Sequence, residues 1–168
     1  MIEMSSDVFP AEDTTDTEKQ RLRLWLKMLK ISRAIEAELR ERLRTRFQST
    51  LPRFDVMAAL YRQKEGFKMS ELSAALMVSN GNVTGIIERL VGEKSVERTP
   101  IPHDRRAMRV KLTKKGREEF ATMARVHQGW INELLHDIDA EDAALICSAL
   151  DIKITTSRTE ASGGVKTQ

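Results

Sequence analysis

Between Ser79 and Arg89 the chain sets Asn80, Asn82, Thr84 and Arg89 around two glycines, Gly81 and Gly85. An asparagine amide and an arginine guanidinium each form paired hydrogen bonds to a planar heterocycle edge, adenine and guanine respectively, and a threonine methyl packs on the methyl of thymine. Backbone amides at the start of such a segment, if it is helical, hold a phosphate. A second cluster follows directly. From Lys94 to Arg117 there are nine Lys or Arg against two acids, a net charge of +7 in 24 residues, with His103-Asp104-Arg105-Arg106 at its centre and Arg109 beyond. The joint chemistry is recognition of a polyanion that carries planar bases.

The elements that must position these groups follow from periodicity. Val83, Ile86, Ile87 and Leu90 recur at offsets of zero, three, four and seven, which predicts a helix starting near Ser79 or Asn80 and ending at Gly92. Its apolar stripe points away from Asn82, Thr84, Gly85 and Arg89. An interior glycine costs a helix about 1 kcal/mol relative to alanine, so Gly81 and Gly85 imply close approach of the backbone to another molecule. A short preceding helix is predicted with Ser70 as its N-cap and Leu72, Ala75 and Leu76 inward, broken at Val78-Ser79. After Gly92 the period becomes two. Val96–Thr99 and Met108–Leu112 read as strands on either side of a basic loop, with Pro100 and Pro102 interrupting the first.

Outside this region, a long helix is predicted over about 17–47 and a second from Pro52 towards a stop at Gly66. Leu22, Trp25, Leu26 and Leu29 form one stripe of the long helix and Leu24, Met28 and Ile31 another, so it needs more than one partner surface, one of which a second copy of the chain can supply. Thr113 is placed to cap a helix carrying Phe120, Ala124, His127, Ile131 and Leu134. Asp139 and Asp142 are placed to cap another carrying Ile146, Cys147 and Leu150. Residues 1–16 and 155–168 read as flexible tails, and the first 18 residues hold six acids and no Lys or Arg. The expected fold is mainly α, a winged helix-turn-helix with the turn motif at about 70–92, the wing at about 96–113, and dimerisation helices at about 17–47 and 114–154.

The wing carries Asp104, Arg106, Val110, Leu112, Thr113 and Gly116 in one register: an Asp, one residue, an Arg, three residues, an apolar residue, one residue, Leu-Thr, then a Gly. In this register, between a helix-turn-helix and a long helix, the chain resembles the MarR family of winged-helix regulators over about Thr17 to Ile154. The resemblance implies a homodimer on pseudo-palindromic double-stranded DNA. It gives Ser79, Asn80, Asn82, Thr84, Gly85 and Arg89 as major-groove contacts, Arg105, Arg106 and Arg109 as wing contacts, and Asp104 as a brace for the wing.

Leu51-Pro52-Arg53-Phe54-Asp55-Val56, Met77 to Gly85, and His127 with Trp130-Ile131 resemble a subgroup of that family that represses aromatic-acid catabolism and responds to hydroxycinnamoyl-CoA thioesters. The implied ligand is an aromatic acyl-CoA that relieves repression. Such a ligand needs an apolar slot and cations for its phosphates. Trp25, Met28, Met57, Tyr61 and His127 are candidates for the first, and Arg33, Arg40, Arg44, Arg46 and Arg53 for the second. Each has another reading, as core residues or as arginines paired with Glu36, Glu38 and Glu41. A regulator answering to a free aromatic acid, or to oxidation of Cys147, is the alternative.

Other classes fare worse. Cys147 is the single cysteine, so it forms no internal disulfide, and its position on an apolar stripe favours core packing over a redox role. His103, His127 and His136 have no close-spaced partners for a metal. No nucleophile motif, phosphate loop or catalytic carboxylate pair marks an enzyme, and no cofactor is implied. With neither a membrane-spanning stretch nor a signal-peptide pattern, the expected location is cytoplasmic.

Overall fold

The computed structural model describes residues 15–101 and 104–151, the side chains of Asn80 and of residues 104–107 excepted. Of the tails expected at 1–16 and 155–168, residues 1–14 and 155–168 lie outside these residues, as does His103, whereas Thr15 and Asp16 form the cap and first residue of α1. The order is α1 (Asp16–Phe47), α2 (Leu51–Arg62), β1 (Phe67–Lys68), α3 (Met69–Leu76), α4 (Asn80–Gly92), β2 (Val96–Ile101), β3 (Asp104–Leu112), α5 (Lys114–Leu134) and α6 (Ala140–Leu150). The expected class holds: the chain is mainly helical with one small antiparallel sheet of order β1-β3-β2. It divides at Leu134 into two units, the first containing α1 to α5 and the second containing α6.

Local chemistry sets the helix ends. Thr15 caps α1: the Glu18 amide donates to Thr15 Oγ1 at 3.3 Å and Glu18 Oε2 accepts from the Thr15 amide at 2.7 Å. Gln48, left-handed at φ 49°, ends it, with its amide on the Arg44 carbonyl at 3.1 Å. Thr50 caps α2 through the Arg53 amide, and Pro52 occupies the first turn, where its missing N–H has no consequence.

The start of α3 departs from expectation. Lys68, not Ser70, is the N-cap, and Glu71 Oε2 accepts its amide at 2.8 Å. The two-residue strand β1, too short to show as a period in the sequence, carries extended backbone through Lys68, and the helix starts directly from it. Leu72 and Ser73 are buried, whereas Ala75, expected inward, is exposed. The break falls at Met77, left-handed at φ 54°.

Helix α4 matches its predicted stripe, with Val83, Ile87 and Leu90 inaccessible to solvent. The left-handed residue after it is Lys94 at φ 61°, not a glycine. The strands outrun their expected lengths because Pro100 is accommodated in β2, opposite Met108 and beside an irregularity at Pro100/Ile101. Gly66, at φ 78°, makes the turn into β1, and a Cβ there would strike the Val110 carbonyl.

In the first unit, Leu39 and Leu43 of α1, Met57 and Leu60 of α2, Leu72, the α4 stripe, Val96, Val110, Leu112 and Phe120, Met123 and Trp130 of α5 form one core. Arg42 ties α1 to α5, donating to Glu38 at 2.6 Å and to Glu133 at 2.7 Å. The N-terminal half of α1 is not covered: Leu24, Trp25 and Ile31 are each more than half exposed. In the second unit, Asp139 caps α6 by accepting from the Asp142 amide at 2.8 Å. No α6 residue is buried, and Cys147, expected to pack in a core, is exposed. Among the described residues no helix is long and apolar enough to cross a membrane.

Candidate nucleic-acid interface

Helices α3 and α4, joined by the turn at Met77 to Ser79, form the helix-turn-helix. The buried stripe of Val83, Ile87 and Leu90 fixes the roll of α4. That roll leaves Ser79, Gly81, Asn82, Gly85, Glu88 and Arg89 exposed and Thr84 half-buried. Ser79 is the N-cap, yet its side chain makes no capping bond, so the first amides of α4 are not blocked by it. Around Gly81 and Gly85 there is open space: a Cβ at either would meet nothing within 4 Å. Among the described residues nothing demands a glycine at these two places.

The wing is the β2–β3 pair, in register from Val96↔Leu112 at its base to Ile101↔Asp104 at its tip. Arg105 and Arg106 lie near the tip on β3 with Asp104, and their side chains lie outside the described residues. Arg109 sits lower, half-buried, and donates to the Gly66 carbonyl at 3.3 Å, which ties the wing to the turn before β1.

The base of the wing is bolted to the end of α4 by a junction that Thr113 and Gly116 alone mark in the sequence. Ser95 is fully buried, and its hydroxyl donates to Glu119 Oε2 at 2.6 Å. Its carbonyl accepts the Thr113 amide at 3.0 Å. Thr113 Oγ1 donates to the Lys94 carbonyl at 2.8 Å and accepts the Gly116 amide at 3.1 Å, capping α5 as expected. A Cβ on Gly116 would overlap the Ser95 carbonyl oxygen. Lys115 Nζ reaches the Glu93 carbonyl at 2.8 Å, and Arg53 of α2 donates to the Glu93 carboxylate at 2.8 Å. That bond from Arg53 holds the Glu93 carboxyl below the usual range. Helix α4 and the wing are therefore held as one rigid reading head.

The candidate ligand residues are dispersed. His127 stacks on Phe54, with centroids 4.4 Å apart, and Tyr61 meets Phe120 at 5.0 Å with the Arg117 guanidinium 5.6 Å from its ring. Phe54 and Phe120 join the two pairs at 5.3 Å. Burial pushes the His127 imidazole below its usual pKa and favours its neutral form. Met57 is sealed in the core, whereas Trp25 is exposed and Met28 half-buried on the uncovered half of α1. Among the candidate arginines, Arg40 pairs with Glu36 and Arg44 with Glu41, each at 2.7 Å, and Arg53 pairs with Glu93; Arg33 and Arg46 are exposed.

A cavity of about 940 Å³ lies elsewhere, between α2, α3 and α4. Asp55 and Arg62 line one side and Asn82, Gly85, Ile86 and Arg89 the other. Desolvation pushes the Asp55 carboxyl up, and Glu36 adds to the shift. The sequence offered no sign of this cavity, since Arg62 reads as an ordinary helix-terminal cation. Among the described residues, no group of three His, Cys, Asp or Glu is placed to hold a metal.

Comparison with known proteins agrees with this geometry. The family profile described as the MarR family matches residues 49–108, which span α2, the helix-turn-helix and most of the wing. A MarR family transcriptional regulator from Silicibacter pomeroyi superposes with a TM-score of 0.68 at 31% identity, covering 82% of this chain and 94% of that one. A MarR mutant from E. coli complexed with operator DNA superposes with a TM-score of 0.66 at 27% identity, covering 81% and 96%. The transcriptional activatory protein BadR of Rhodopseudomonas palustris is 32% identical over 114 residues, 66% of this chain but 60% of BadR's length. With the helix-turn-helix, the wing and its junction all in place, the chain belongs to the MarR family of transcriptional regulators, which are not enzymes.

Proposed function

We propose that this chain binds double-stranded, pseudo-palindromic DNA as a homodimer and acts as a repressor that a small ligand releases. The observation that carries this reading is the exposed set Asn82, Gly85 and Arg89 on a helix whose roll is fixed by three sealed core residues, with a basic wing bolted to the same helix. In this reading α4 enters the major groove and the wing tip reaches the flanking minor groove. Arg106 is its lead contact there, with Arg105 beside it and Asp104 as brace. The E. coli MarR complexed with operator DNA is the structural precedent. Dimerisation is assigned to α1 and α6, which expose Leu24, Trp25 and Ile31, and Leu145, Ile146 and Leu150. A dimer spanning two successive major grooves blocks access to the DNA beneath it. A ligand that prefers another spacing of the two reading heads lowers DNA affinity by that preference.

For the ligand we take an aromatic acyl-CoA, supported by the Phe54, Tyr61, Phe120 and His127 cluster with Arg117 beside it and by Arg33 and Arg46, exposed on α1. A smaller aromatic acid is the second reading, favoured by the cavity between α2 and α4: Arg62 and Arg89 line it, so an occupant touches the reading helix directly. Gel shifts on the DNA beside the gene, with aromatic acyl-CoAs and the free acids in parallel, separate the two. Release by thioesters alone supports the first, release by acids alone supports the second, and release by neither contradicts a ligand of this class.

A further inference from the structure

We infer that Met77, in the turn between α3 and α4, is a further specificity-determining residue, whose side chain packs on the C5-methyl of a thymine in the DNA site. The inference rests on the reading of α4 as the major-groove helix.

The first observation is conformational. The Met77 amide donates to the Ala74 carbonyl and the Val78 amide to the Ser73 carbonyl, each at 3.2 Å. This pair of bonds closes a helix through one left-handed residue, and here that residue is Met77, at φ 54°. Glycine is the ordinary occupant of such a position, because a Cβ in the left-handed region crowds the following carbonyl oxygen. Methionine therefore makes this turn less stable than glycine would.

The second observation is exposure. The fold gains almost no packing in return: Met77 is 93% exposed, the most exposed large apolar side chain among the described residues. Met57 and Met123, by contrast, are buried in the core. Val78 lines the cavity between α2, α3 and α4 whereas Met77 does not, so a ligand held there leaves Met77 uncovered. A strained residue whose side chain stands in solvent points to a contact made with another molecule.

Position and chemistry identify that molecule. Ser79, the N-cap of α4, is two residues further on, and two residues of chain span at most about 7 Å. In a helix-turn-helix the start of the second helix meets the base edges, so Met77 stands within a side chain's length of them. Its thioether chain is flexible and uncharged, which suits neither a phosphate nor a polar base edge. The apolar group that the major groove offers is the thymine methyl.

Fluorescence anisotropy tests this with the labelled duplex from beside the gene and with the same duplex carrying uracil in place of one thymine at a time, which removes a single methyl. Met77→Gly is expected to weaken binding about threefold to tenfold, Met77→Leu to retain most of the affinity, and both to fold as the parent does in a thermal melt. The salt dependence is expected to be unchanged in Met77→Gly, since no charge is lost. At one or two thymines per half-site, uracil is expected to weaken the parent about threefold to fivefold and to leave Met77→Gly unaffected. Parental affinity in Met77→Gly, or the same uracil sensitivities in both proteins, overturns the inference while leaving the reading of α4 intact. If the parent binds no duplex, the reading of α4 fails and the inference falls with it.

Discussion

Gly116→Ala is expected to destabilise the folded chain by about 3 kcal/mol, the upper range for forcing a methyl into a packed site. The added Cβ would overlap the Ser95 carbonyl oxygen, which is backbone and cannot swing aside as a side chain would. That same oxygen accepts the Thr113 amide, and the Ser95 hydroxyl is held by Glu119, so any shift must break the cap of α5 or the junction to α4. Urea unfolding followed by circular dichroism measures the loss; a change below about 1 kcal/mol would mean that the junction yields and is not the rigid link described here. Gly85 makes the contrast. A Cβ there meets nothing within 4 Å, so Gly85→Ala is expected to stabilise the isolated protein by several tenths of a kcal/mol while weakening DNA binding.

Arg106→Ala is expected to weaken DNA binding by roughly tenfold to a hundredfold, about 1–3 kcal/mol, with the melting temperature unchanged. Arg106 lies near the tip of β3, while the residues that hold the wing to the core, Val96, Val110 and Leu112, lie lower in the ladder. Loss of its guanidinium therefore removes charge from the reading head without removing core. Fluorescence anisotropy on a labelled duplex from beside the gene gives the affinity, and an unchanged value would contradict the wing assignment.

The elements that show in the sequence are those with repetition. Val83, Ile87 and Leu90 are spaced at four and three, and all are sealed in the core. Alternation of Met108, Val110 and Leu112 against Arg109 and Lys111 located β3, and the motif from Asp104 to Gly116 located the wing. What escaped has no period. Two residues are too few to mark β1, and its pairing with β3 is what moves the cap of α3 from Ser70 to Lys68. Buried Ser95 reads as an ordinary turn residue, because its importance comes from Gly116 and Glu119 some twenty residues away. The apolar stripe of α6, with Cys147 on it, reads as core by pattern alone. It is exposed in the single chain because a stripe records that a partner is needed, not which molecule supplies it.

The central claim is that α4 and the wing together read DNA. Its most direct test is an affinity titration, at several salt concentrations, of the DNA beside the gene against a scrambled duplex of equal length. The prediction is tighter binding to the first, with log affinity falling linearly in log salt at a slope of about −4 or steeper, as several phosphates are neutralised by the two wings and helix starts. Binding to neither duplex, or an affinity indifferent to salt, would contradict it.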